Sequence, residues 1–158
     1  MDLDAFLNSD LLPRQEELSV PELADFFPPK TPAVWKVRGL SAHEVGRAVE
    51  LSTVNHQANL RAAAIALAGN GDKSAAIQRL IGLSPEDVPA DVSRRIEELA
   101  AGSVSPLLGS EKRDVAVRLA ENFPNIFYRL TNAIRQLTDQ GSEAGKPKRS
   151  GKPAKSET

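Results

Sequence analysis

From Ser41 to Gly69 the chain holds a helical rhythm of apolar and polar positions with no internal proline. Ser41 is a natural N-cap, because its hydroxyl can accept from a free backbone N–H of the first turn. Glu44, three residues on, can reach back to the Ser41 N–H, and Leu40 with Val45 supplies a hydrophobic staple. The pattern runs to Ala68, and Gly69-Asn70-Gly71 ends it. Val45, Val49 and Ser52 share one side near its start, and Leu60, Ala64 and Leu67 follow further down. The middle, Ser52-Thr53-Val54-Asn55-His56-Gln57, is polar and of low helix propensity, so a kink or a polar contact is expected there.

Downstream the same rhythm predicts four more helices. Asp72 caps Lys73 to Leu83, with Ala76, Ile77, Leu80 and Ile81 at helical spacing. Ser84-Pro85-Glu86-Asp87 makes a turn, and Pro89-Ala90-Asp91 leads into Val92 to Ala101 with Val92, Ile96, Leu99 and Ala100 inward. Residues 102–109, including Pro106, read as loop. Ser110 then caps Glu111 to Asn122, whose inner face is Val115, Ala116, Leu119 and Ala120. Phe123-Pro124 breaks that helix and opens the last one, Asn125 to Gln140, with Ile126 or Phe127, Leu130, Ile134 and Leu137 as its stripe and Gly141 as its end.

Upstream the signals are shorter. Asp2 to Leu12 is amphipathic, with Leu3, Phe6, Leu7 and Leu11 on one side, and Pro13 closes it. Ser19 or Val20 caps a second short helix with Pro21 in its first turn and Leu23, Phe26 and Phe27 on its apolar side. Pro28-Pro29-Lys30-Thr31-Pro32 predicts an extended connector. Residues 34–38 alternate as a strand does, Val34 and Lys36 to one side, Trp35 and Val37 to the other. A lone strand is unstable, so its partner is either the segment before it or another subunit. The fold class expected is mainly α: a compact multi-helix domain over 33–141 with a short strand at 34–38, an acidic proline-containing arm over 1–32, and a disordered basic tail over 142–158.

Composition narrows the chemistry. The 158 residues suffice for one domain with a real core, and with 4% aromatics that core is built from aliphatic side chains. There is no cysteine, which removes disulfides, thiolate metal sites and a cysteine nucleophile. The first residues are acidic where a signal peptide is basic, and no apolar run reaches membrane-spanning length, so a cytoplasmic protein is expected. Residues 1–27 carry seven acids and one base, Arg14; residues 141–158 carry five bases, Lys146, Lys148, Arg149, Lys152 and Lys155, and two acids. The two ends could attract one another or different partners.

No catalytic constellation stands out, and no enzyme, cofactor or metal is expected. His43-Glu44 lacks the second histidine of a zinc-protease motif, since Arg47 stands in its place, and His56 falls on another side of the helix. The glycines of 69–74 lack P-loop spacing. Asp87 and Asp91, or Glu97 and Glu98, read as solvated helix faces and caps. Partner binding is the remaining chemistry. Phe26, Phe27, Trp35, Phe127 and Tyr128 are the aromatic candidates, set against a core role for the same side chains. The tail bases could contact phosphates, although no interleaved aromatics accompany them for base stacking.

Two stretches carry a family resemblance. One is Val34-Trp35-Lys36-Val37-Arg38-Gly39-Leu40-Ser41-Ala42-His43-Glu44, a strand and turn leading into a long helix. The other is Leu119 to Ile134 (LAENFPNIFYRLTNAI), closing with Leu137-Thr138-Asp139-Gln140-Gly141. Together they resemble the small tail assembly chaperones of long-tailed bacteriophages and prophages, over roughly 34–141. The resemblance implies a helical, non-enzymatic protein of the bacterial host cytoplasm. It implies a protein that binds the tape measure protein, keeps it soluble, helps recruit tail tube protein and leaves the finished particle. Many such genes also make a longer product by a translational frameshift near their end, where the tail of this chain lies. The arm at 13–32 has no counterpart in the pattern. Two other classes stay open: a nucleic-acid accessory protein acting through its tail, and a structural head–tail component. Self-association into a homo-oligomer is expected of exposed apolar helix faces.

Overall fold

A computed structural model describes residues 1–69, 73–80 and 88–144. Within them lie six α-helices and five short strands: α1 (Leu3–Leu7), β1 (Leu11–Pro13), β2 (Gln15–Ser19), β3 (Val34–Arg38), α2 (Ala42–Ala68), α3 (Lys73–Leu80), α4 (Ala90–Gly102), β4 (Ser103–Ser105), α5 (Arg113–Asn122), α6 (Pro124–Asp139) and β5 (Ser142–Ala144). A 3₁₀ turn, Pro21–Phe26, sits between β2 and β3. The architecture is mainly α with a small antiparallel sheet on one flank.

The sheet has the order β2-β3-β4, and β1 pairs separately with β5. β3 alternates as its sequence dictates, with Trp35 and Val37 buried and its other residues half-buried. Its partners are the segment before it and a strand far ahead of it: Leu18 faces Trp35, Glu16 faces Val37, and Lys36 and Val37 meet Ser105 and Ser103 across a bulge. The core lies between the inner face of this sheet and α4, α5 and α6. Trp35 and Val37 join Ile96, Leu99, Ala116, Leu119, Phe127, Leu130, Ile134 and Leu137 there. The Trp35 indole N–H donates to buried Ser103 Oγ (3.1 Å), whose own hydroxyl donates to Leu99 O (2.7 Å), so both polar groups enter the core satisfied.

The 41–69 reading holds closely. Ser41 accepts from the Glu44 N–H, and Glu44 accepts from the Ser41 N–H (2.9 Å), a complete capping box; Gly69 is the C-cap. The polar middle produces no break. Ser52 and Thr53 instead donate to Val49 O (2.7 and 2.9 Å), the local bonding that such residues make inside a helix. α4 and α6 also follow their predicted stripes, and Gly141 ends the last helix region at φ +71°.

Several expectations are corrected. The first helix stops at Leu7, and Leu11 and Leu12 belong to β1. Residues 28–32 form a turn with Lys30 at φ 68° and Thr31 N–H donating to Pro28 O, and the chain folds back instead of extending. The arm over 1–32 is no separate region, because β2 is a strand of the sheet and Val20 and Leu23 are core residues. Residues 103–105 are a strand rather than loop. Residues 109–112 form a turn, and α5 begins at Arg113 with Lys112 before it, so Ser110 is not its cap. Of the three residues expected to share one side of α2, Val45 is half-buried and Ser52 buried, while Val49 is exposed. Residues 142–144 pair with β1 and are not disordered; the basic tail beyond them lies outside the described residues, as do Asp72 and the 84–87 turn.

One close approach locks the sheet to α6. A Cβ on Gly39 would stand 2.9 Å from both the carbonyl carbon and oxygen of Leu137, a backbone that cannot step aside. The turn after β3 therefore seats glycine because the end of α6 lies against it.

Candidate partner-binding surface

The longest helix is longer than anything it packs on. α2 has 27 residues and α4 has 13, or about 40 Å against about 20 Å. Their relative direction is fixed by Arg38. Its guanidinium donates to Glu44 Oε1 and Oε2 (2.6 and 3.2 Å) in the first turn of α2. It also donates to Ala101 O (3.1 Å) in the last turn of α4. The two helices thus run antiparallel, and roughly the second half of α2 extends past the start of α4. Among the described residues only α3 returns along that half, and of the side chains described there Ala63 on α2 and Ala76 on α3 are buried, both small enough for close helix contact.

Helical geometry splits the apolar residues of α2 into two opposed stripes. Val45, Ala48, Ser52, Leu60, Ala63 and Leu67 share the face that is buried or half-buried. Leu51, Val54, Ala58, Ala62 and Ile65 share the opposite face, and all five are exposed, Ile65 at 74%. This outer stripe is about 20 Å long. At its N-terminal end Gly46, which has no side chain, leaves an open depression of about 550 Å³ bordered by His43, Arg47, Glu50, Leu51 and Val54. A helix apolar on two sides is ordinarily covered on both, and here one side has no cover among the described residues.

The base of α2 is held rigid by charge. Burial raises the Glu44 carboxyl, but the hydrogen bond from Arg38 dominates and, with the Ser41 contacts, holds it down at about 2 from 4.5; Arg38 is raised in turn by the same hydrogen bond. A second network joins α4 to α6. Glu98 is 2% exposed and accepts from Arg94 Nε (2.8 Å) and Arg135 Nε (2.7 Å), one on each oxygen. Arg135 also reaches Asp91 (3.3 Å), and Arg95 joins Asp91 (2.8 Å), Thr131 Oγ1 and Asn132 Oδ1. The hydrogen bond from Arg95 leads in holding Asp91 below the usual carboxylate range, while Glu98 keeps Arg135 raised against its burial. Glu97 pairs with Arg113 (2.5 Å). Glu97 and Glu98 are therefore covered inter-helix ties and not solvated faces, whereas Asp91, 59% exposed in the first turn of α4, is a solvated carboxylate that also ties α4 to α6. The i,i+4 spacing of Arg94 with Glu98 and of Asp91 with Arg95 was the available signal.

The aromatic candidates separate by exposure. Trp35 (3%) and Phe127 (1%) are core side chains and present nothing to a partner; Phe27 is half-buried against the core. Phe26 (77%) and Tyr128 (41%) are exposed. Tyr128 carries the Arg95 guanidinium 5.1 Å above its ring and meets Phe127 edge-on, so it is braced in place. Lys146, Lys148, Arg149, Lys152 and Lys155 lie outside the described residues. Among the described residues no three His, Asp or Glu side chains gather as a metal cluster would, and no helix is long and apolar enough to cross a membrane.

No family model, curated protein or solved structure matches the chain.

Proposed function

We propose that this protein is a non-enzymatic chaperone that shields an apolar helix of a partner, of the phage tail assembly type that its sequence resembles. The observation that carries this reading is the uncovered outer stripe of α2, Leu51 to Ile65, on a helix braced at its base by Arg38 and Glu44. An amphipathic helix laid against that stripe would replace two water-exposed apolar faces with one buried contact. A long helical tape measure protein offers such faces along its length, and the exposed Phe26 and Tyr128 are further candidate contacts with it or with tail tube protein. In a homo-oligomer the same stripe would be the surface by which two copies of this chain join.

The test is co-expression with a long helical protein of the tape measure type, taken from the neighbouring gene where the genome has one there, read by size exclusion with light scattering. A soluble complex is expected where the long protein alone is insoluble. Ile65→Asp should abolish the complex and leave the melting temperature of the isolated chain unchanged, since Ile65 touches little of its own protein. Retained insolubility of the long protein would reject the chaperone reading. DNA binding that falls with salt and vanishes on deletion of 142–158 would instead favour the nucleic-acid class.

A further inference from the structure

The N-terminal strand has one paired edge and one unpaired edge. In an antiparallel ladder each residue directs its N–H and C=O to the same side, and neighbours alternate. Arg14 O accepts from Gly39 N–H (2.9 Å) and Val20 N–H donates to Ala33 O (2.8 Å), so the even-numbered residues face β3. Pro13 has no N–H, so the ladder to β5 runs through Leu12, again even-numbered. The registers confirm one continuous edge: Gln15 pairs Arg38, Arg14 bonds Gly39, and Pro13 pairs Ser142. β3 and β5 therefore lie end to end along one side of residues 11–19.

The odd-numbered residues face the other way. Ser19 O is taken by Arg129 Nη2 (2.8 Å), which caps that end of the edge. From Leu11 to Glu17 no strand of the described residues covers it, and Leu11, Gln15 and Glu17 are all exposed. Of the charges along it, Arg14 is paired with Glu143 (3.4 Å) and Glu17 with Lys36 (3.4 Å), which leaves the acids Asp10 and Glu16 without an ion-pair partner among the described residues. Leu11 and Leu12 add exposed apolar surface at one end.

We propose that this edge takes an extended, basic segment of a partner protein as an added β-strand. The backbone groups of Leu11, Gln15 and Glu17 supply the main-chain bonds, and Asp10 and Glu16 select Lys or Arg. Pro13 and the acids are also devices that keep sheet edges from pairing indiscriminately; they turn away acidic strands and admit a basic one. This surface is separate from the outer stripe of α2, and its test does not depend on that reading.

The probe is a short peptide alternating Lys and Thr, titrated into the full chain with amide exchange followed residue by residue. In the free chain Glu16 and Leu18 amides should exchange slowly and Gln15 and Glu17 rapidly. Peptide should slow Gln15 and Glu17. Methylating alternate peptide nitrogens, which keeps every charge, should weaken binding by roughly tenfold or more. Gln15→Pro should remove binding with the fold retained, because it deletes only an outward N–H. Equal affinity of the methylated peptide, or no binding at millimolar concentration, overturns the proposal. So does protection of Gln15 and Glu17 in the free chain that is lost on dilution, which marks a second copy as occupant. Protection lost on deleting residues 145–158 overturns it too, because the chain's own tail then fills the edge.

Discussion

Glu44 concentrates several duties in one carboxylate: it closes the capping box, pairs bidentately with Arg38, and through Arg38 reaches the end of α4. Its folded-state pKa of about 2 lies below its ordinary 4.5, so the stability it contributes is complete above pH 4.5 and is lost as pH falls toward 2. Urea midpoints measured across that window should fall for the wild-type chain and fall less for Glu44→Gln, which starts lower at neutral pH. Glu98 differs in being almost wholly buried between two arginines. Arg135→Met leaves it half-paired in a dry site and should cost about 3 kcal/mol in denaturant unfolding. Glu98→Leu should cost less, since both arginines are part-exposed and can turn to water. Glu98 was misread as solvated because sequence shows its i−4 arginine but not that Arg135, 37 residues on, closes over it.

Among the elements, helices declare themselves and strands do not. α2 was legible because its capping box and apolar spacing are local properties of the chain, and α4 and α6 because their apolar spacing is, with Pro124 in the first turn of α6. β3 was legible because Trp35 and Val37 alternate with half-buried residues. β2 reads Gln-Glu-Glu-Leu-Ser, with only Leu18 apolar, and becomes a strand through what β3 offers it, including Lys36 opposite Glu17. β4 and β5 are three residues each, too short for any period to register. The outer stripe of α2 was in plain view as sequence, but only the lengths of its neighbours reveal that nothing among the described residues covers it. One prediction belongs at this scale. Gly39→Ala drives a methyl into the α6 backbone at Leu137 and should lower stability by about 2 kcal/mol, read as a shift in the urea midpoint. The same exchange at Gly46, where a Cβ would meet nothing within 4 Å, should be neutral or stabilising as helix propensity improves.

At the scale of the whole molecule, a packed half and a projecting half divide the work. The sheet with α4, α5 and α6 holds nearly all of the large buried side chains, and the far part of α2 with α3 holds small ones. The ladder between β1 and β5 prolongs the sheet beyond Arg14 and outside the core, with every strand residue but Pro13 exposed. Arg14 and Glu143 meet across it, 129 positions apart in the chain. Closing so long a loop costs only slightly more than closing a short one, by about 0.6 kcal/mol for each doubling. Its persistence is therefore decided by its own few bonds, and these open well before the core does. When they open, residues 1–13 and 142–144 are released in a single event while β2 stays zipped to β3. The two ends of the described chain form a clasp, in which neither half can be loosened alone.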